Sequence, residues 1–153
     1  LLACHLPYIA DGSSNNHVIT VSGNAYTQRY GPYDYRGYTK ADHGGSVFFD
    51  GSSDYITTNS TDTAGTGDFT VEAWVWWSSS TTTWQTIIAQ RSTPGGPNAS
   101  TEWTMGINTN GYVYLFNGAH YVNSVAGLVK VTSWNHIAIV RESGVMHGYV
   151  SAG

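Results

Sequence analysis

The sequence predicts an all-β protein with its sheets in two layers, and three observations carry that prediction. Short apolar-alternating runs recur along the 153 residues, separated by Gly, Asn, Asp and Ser. No stretch carries an apolar stripe at helical spacing. Two tryptophan-bearing runs, Phe69-Thr-Val-Glu-Ala-Trp-Val75 and Trp134-Asn-His-Ile-Ala-Ile-Val-Arg141, keep the two-residue period of sheet while placing apolar groups on both faces, which suits a central strand.

In chain order, strands are expected at residues 17–21, 46–50, 55–57, 69–77, 86–90, 103–107 and 112–117, with two more at 137–141 and 145–150. The clearest hairpin joins Trp103-Thr-Met-Gly-Ile107 to Tyr112-Val-Tyr-Leu-Phe116, with Asn110-Gly111 supplying the positive-φ residues of a tight turn. A second hairpin pairs the last two strands across Glu142-Ser143-Gly144. Residues 78–83, all Ser and Thr, and residues 92–98, dense in Pro and Gly, read as rim loops. Residues 30–38 hold Tyr30, Tyr33, Tyr35 and Tyr38 around Arg36. The length fits one domain over 1–153, in which 1–44 supply N-terminal strands and the tyrosine-rich loop and 45–153 the main motif region.

Composition narrows the functional classes. Charged residues make up only 10% of the chain against 41% hydrophobic, so Ser, Thr, Asn, Gly and Tyr must furnish the surface, a balance expected of an extracellular or virion-surface β protein. Six Lys and Arg are scattered among ten Asp and Glu, a net charge of −4, and no basic patch forms to bind nucleic acid. No apolar run approaches a membrane span, so a soluble protein without membrane insertion is expected. Cys4 is the only cysteine, which excludes an internal disulfide framework and a thiolate metal cluster. Leu1-Leu-Ala-Cys4 matches the end of a lipoprotein signal, but no charged and apolar region precedes it, and a small buried thiol in a first strand is the better reading.

Three ordered motifs then carry a resemblance. Ser46-Val-Phe-Phe-Asp50-Gly-Ser-Ser-Asp54-Tyr-Ile56, Asp68-Phe-Thr-Val-Glu72-Ala-Trp74-Val75 and Trp134-Asn-His136-Ile-Ala-Ile-Val-Arg141 resemble, in order and spacing, the laminin-G-like members of the concanavalin A-like lectin/glucanase superfamily. The leading segment from Asp11 to Gly23 is similar to what precedes such domains in structural and adhesion proteins of aquatic phages and bacteria. The resemblance implies a two-sheet antiparallel jelly-roll sandwich. It also implies closing strands after residue 150 that these residues do not contain, so an open edge covered by further chain or by neighbouring subunits is expected.

The superfamily includes sugar hydrolases, whose acid and nucleophile are closely spaced carboxylates on one strand. Glu72, Glu102 and Glu142 are the only glutamates and none has a carboxylate two or three residues away, so no catalytic residue is assigned and a glycosidase is the least favoured reading. Glu72 is expected to be structural, hydrogen-bonded across the sandwich. A Gly-x-Ser-x-Gly elbow, a phosphate loop and paired zinc histidines are absent from the sequence. The six histidines show no ligand spacing, and His136 reads as a satisfied core or rim residue.

No cofactor is required by any motif. Several branches of the superfamily hold calcium at the sandwich rim, and Asp50-Gly-Ser-Ser-Asp54 offers alternating oxygens; the alternative, an Asp-Gly turn capped by its own side chains, is favoured because no bidentate Glu follows. Aromatic rings point instead to carbohydrate, since a flat ring packs against the apolar face of a sugar. Trp76, Trp77 and Trp84 flank the Ser/Thr loop, and Tyr112 and Tyr114 are expected to face outward while Val113 and Leu115 face inward. Any one of these rings could equally fill the core or a subunit contact. Tyr30, Tyr33, Tyr35 and Tyr38 suit a partner contact. The expected partners are a glycan or cell-surface polysaccharide and neighbouring subunits. The expected role is a non-catalytic carbohydrate-binding or adhesion module; the alternative is purely architectural, a module decorating a capsid, tail or filament.

Overall fold

A computed structural model describes residues 9–28, 45–59, 67–78, 84–91, 102–116 and 121–152. Cys4, most of the Ser/Thr and Pro/Gly loops, and Tyr30, Tyr33, Tyr35 and Tyr38 lie outside the described residues. All regular elements among them are strands, and no helix there is long and apolar enough to cross a membrane. The chain forms two compact units, Leu1–Asp62 and Thr63–Gly153.

The first unit nests one antiparallel pair inside another. β1 (Ile19–Ser22) pairs with β4 (Tyr55–Thr58), and between them in sequence β2 (Tyr26–Gln28) pairs with β3 (Ser46–Phe48). One carboxylate ties the two connections together. Asp54 Oδ1 accepts the backbone N–H of Asn24 in the β1–β2 turn, and its Oδ2 accepts the N–H of Asp50, at 3.1 Å, in the β3–β4 turn. Gly23, at φ +75°, packs against Asp54 so closely that no Cβ fits. Upstream, the buried Asp11 receives N–H groups from Ser13 and His17, both at 2.8 Å, and so shapes the lead into β1.

In the second unit, two antiparallel sheets share one core. One sheet has the order β11-β10-β5, from β5 (Phe69–Trp77), β10 (Ser133–Glu142) and β11 (Val145–Ala152). The other has the order β6-β7-β8-β9, from β6 (Trp84–Gln90), β7 (Trp103–Asn108), β8 (Val113–Phe116) and β9 (Tyr121–Asn123). Ile137, Ile139 and Trp77 from the first sheet meet Met105, Ile107, Val113 and Leu115 from the second, with Val129 closing the cluster. On β5, β7, β8 and β10 every second residue faces inward, which is why the period-2 pattern was informative.

The all-β, two-sheet expectation holds, with specific revisions. β10 is central and buries Ala138 on the face opposite Ile137 and Ile139. β5 pairs only with β10 among the described residues, and its inward and outward sides alternate, so it is an edge rather than a central strand there. β2 and β9 are additional elements, three residues each. In the β7–β8 hairpin only Gly111 takes positive φ, at +70°; its N–H reaches Asn108 O at 2.8 Å while Asn108 Oδ1 caps Asn110 N–H. This is a type I turn closed by a glycine bulge, not a turn with Asn110 and Gly111 both left-handed. The β10–β11 hairpin does have two positive-φ residues, Ser143 at 50° and Gly144 at 81°. Asp68 Oδ1 holds the Ser143 N–H at 2.9 Å, and Arg141 Nη1 bonds Gly67 O at 2.7 Å.

Candidate functional site

Parity along three strands builds the site. Met105 and Ile107 of β7 and Val113 and Leu115 of β8 point into the core, so Thr104 and Gly106 and, opposite them, Phe116 and Tyr114 face outward. On β6, Trp84 pairs with Asn108 and Thr86 with Gly106, which sets both on that outer face. The β6 register then shifts at Ile87, and this bulge moves the outer parity by one residue, from Trp84 and Thr86 to Ala89 and Arg91 at the end of the strand.

Together Trp84, Thr86, Arg91, Thr104, Tyr114 and Phe116 line an open groove of about 450 Å³. Its floor is Tyr114. The ring lies over Gly106, where an added Cβ would come within 2.6 Å of Tyr114 Cζ, so only glycine allows this packing. Trp84 is 50% exposed and meets Tyr114 edge to face, with centroids 5.0 Å apart. Arg91 Nε donates to Thr104 Oγ1 at 2.9 Å, and Thr104 is itself buried, so the guanidinium is anchored. Burial raises the Tyr114 pKa, while a hydrogen bond from Thr86 and the Arg91 charge act against that rise. An aromatic wall, hydroxyl groups and one cation are thus held on a rigid sheet.

The aromatic candidates separate. Trp84 and Tyr114 come together in the groove. Tyr114 faces outward as expected but is not exposed, because Trp84 and the sheet cover it to 4% accessibility. Trp77 is a core residue, 7% exposed, with its indole N–H donating to Gln85 Oε1 at 2.6 Å, and cannot serve as a sugar platform. Trp76 lies on the outer face of the other sheet, edge-on to Trp134 at 6.0 Å. Tyr112 sits half-buried at the β7–β8 turn, outside the groove lining. Thr86, Arg91, Thr104 and Phe116 were missed. The hairpin register that pairs Thr104 with Phe116 would have found two of them; the bulge that delivers Arg91 has no signal in the sequence.

Other candidates resolve geometrically. Glu72 does not bond across the sandwich: it is exposed and meets His136 Nε2 on the neighbouring strand at 3.2 Å. His136 also lies 5.1 Å from the Trp74 ring. Asp50 caps Ser52 N–H at 2.8 Å and Asp54 accepts two backbone N–H groups, so these oxygens form the self-capped turn. That bonding holds the Asp54 pKa below its ordinary value, chiefly through the Asn24 N–H. Asn135, invisible as a special residue in the sequence, is fully buried; it accepts Lys130 N–H at 2.8 Å and donates to Lys130 O and Ser133 O, both at 2.9 Å. It fastens the loop before β10, where Thr132 N–H also reaches Trp77 O at 2.6 Å.

Comparison with known proteins agrees with this architecture. No curated protein and no solved structure matches the chain. A laminin-G family model described as the concanavalin A-like lectin/glucanases superfamily matches residues 50–152, which span β4 to β11. With two antiparallel sheets closed on one core, the chain belongs to the concanavalin A-like lectin/glucanase superfamily.

Proposed function

We propose that the protein is a non-catalytic carbohydrate-binding module acting outside the cell or on a virion surface, and that the outer face of the four-stranded sheet is its binding face. The observation that carries this reading is the groove itself. Half of the Trp84 surface is exposed beside the buried Tyr114, while Thr86 and Arg91 stand where sugar hydroxyls would be bonded. Among the described residues the lining contains no carboxylate, whereas glycoside hydrolysis needs two facing each other across the bond, so binding without cleavage is the chemistry these residues fit.

A glycan array of the full chain and of Trp84→Ala tests the reading. The wild type should retain at least one glycan class and the variant should lose it, with both proteins melting at closely similar temperatures. Undiminished binding by the folded variant would remove the groove as the site.

A second reading draws on a different surface. Val125, Leu128 and Val131 are 72%, 41% and 52% exposed on the loop that Asn135 and Val129 hold rigid. Apolar side chains displayed this way favour a contact with a neighbouring subunit, the architectural role, which is compatible with sugar binding on the outer sheet face.

A further inference from the structure

The three-stranded sheet has its own outer face, and its strands are described along their whole length. Register sets what that face displays. The outward residues of β5 are Thr70, Glu72, Trp74 and Trp76, which stand opposite Val140, Ala138, His136 and Trp134 of β10. On β11, Tyr149 pairs with Ala138 and His147 with Val140, so Ala138 is flanked by Glu72 on one side and Tyr149 on the other. Rings run along the face: Trp76 meets Trp134 edge-on at 6.0 Å, His136 lies 5.1 Å from Trp74, and His147 lies 6.4 Å from Tyr149. Trp74 and Trp76 are each 37% exposed and Tyr149 55%, so these rings form an accessible patch, not a buried layer.

The fixed charges on this face have one sign. Glu72 and Glu142 are its acids, both exposed, and no Lys or Arg stands at an outward position of the three strands, Arg141 having the opposite parity. Glu72 Oε2 meets His136 Nε2 at 3.2 Å, and the same imidazole is in ring contact with Trp74. A planar nitrogen group is thus already held between a carboxylate and an indole. A guanidinium favours that arrangement, with paired N–H bonds to the carboxylate and a π-face beneath it. Glu72, Trp74 and Trp76 recur at every second residue, about 7 Å apart, which puts the carboxylate and two rings in line on one strand.

We propose that this face docks an arginine-bearing segment of a partner protein, with Glu72 pairing to the guanidinium while Trp74 and Trp76 pack its plane and stem. The face lies on the other sheet from the groove and does not depend on sugar binding there. Two observations select the occupant. Exposed Trp and Tyr spread over three strands have the composition of a protein interface, whereas a small molecule is taken into a concavity. A second copy docking through the same face would set acids against acids with no Lys or Arg to offset them, so the complementary charge comes from a different, basic protein.

The test follows the indole N–H signals of the full chain by nuclear magnetic resonance at pH 8, where imidazole groups are neutral. The probes are a capped Gly-Arg-Gly-Arg-Gly peptide and the same peptide with citrulline, the uncharged isostere, in place of arginine. The Trp74 and Trp76 signals should move with the arginine peptide while Trp84 stays in place. The citrulline peptide should bind about tenfold more weakly, the scale of one charge-assisted hydrogen bond. That preference should shrink as salt is raised. Glu72→Gln, an exposed change that keeps the side chain's shape, should abolish the preference, and Trp74→Ala should weaken both peptides. Equal binding of the two peptides by the wild type overturns the proposal, as does an unchanged preference in folded Glu72→Gln protein. So do Trp74 and Trp76 signals that stay in place at millimolar arginine peptide. Movement of those signals with protein concentration alone would assign the face to a second copy and overturn it too.

Discussion

Trp77 and Trp84 stand at the end of β5 and the start of β6 and have opposite surroundings. The indole of Trp77 is packed among Met105, Ile107 and Ile137, while half of Trp84 faces solvent. Trp77→Ala should therefore cost about 4 kcal/mol of stability, the scale of a large ring removed from a core, and reduce binding only through unfolding. Trp84→Ala should leave the melting temperature nearly unchanged. Denaturant titration of both variants checks the pair, and equal destabilisation would contradict it. Asn135→Ala should cost about 3 kcal/mol, because it breaks the side-chain bonds to Lys130 and Ser133 and strands buried backbone groups. The inward place of Trp77 was legible: it shares the parity of Val71, Ala73 and Val75 in a strand of period two. Asn135 was not, since a buried asparagine is identified only by the carbonyl and amide it meets.

At the scale of elements, the long alternating strands were readable, as were the short β1, β3 and β4, whereas β2 and β9 were not. β5, β10 and β11 announced themselves by length, whereas β2 and β9 have three residues each and no room for a pattern. The register shift at Ile87 is likewise set by packing against β7, not by a turn residue, and with it went the position of Arg91. The β10–β11 turn offers a direct test. Ser143 holds a positive φ of 50° that asparagine adopts more readily, and Ser143→Asn should stabilise the protein by about 0.5 kcal/mol. A loss of stability on thermal melting would show that the Ser143 side chain has a role its backbone geometry does not explain. Gly106→Ala should do the reverse at the groove: the added methyl meets the Gln85 carbonyl and the Tyr114 ring, so it should displace Tyr114 and lower both stability and sugar affinity more than a surface Gly→Ala change would.

At the scale of the whole molecule, solution conditions act on the first of the two units through one carboxylate. There the Asp54 pKa is held down in the folded state, chiefly by the Asn24 N–H. The stabilisation it provides is present above the ordinary carboxylate pKa and is lost as pH falls through the lower folded value, below about pH 4. Asp54→Asn should blunt this acid sensitivity, and melting curves from pH 2 to 6 check it. The Asp50 and Asp54 oxygens already accept backbone N–H groups, so a chelator should leave the melting temperature unchanged; a fall of several degrees would return calcium to this turn. Fold class and family were legible because long-range period and motif order survive in one dimension. The groove was legible only in its aromatic members, because its other walls depend on which residues the register brings opposite one another.

The most direct test of the central claim follows the indole N–H signals of the six tryptophans by nuclear magnetic resonance while titrating the oligosaccharide the protein binds best. Ring contact in the groove predicts that the Trp84 signal moves with ligand concentration while those of Trp77, Trp74 and Trp76 stay in place. Movement of Trp74 and Trp76 with Trp84 unchanged would instead place the sugar on the outer face of the three-stranded sheet and contradict the account.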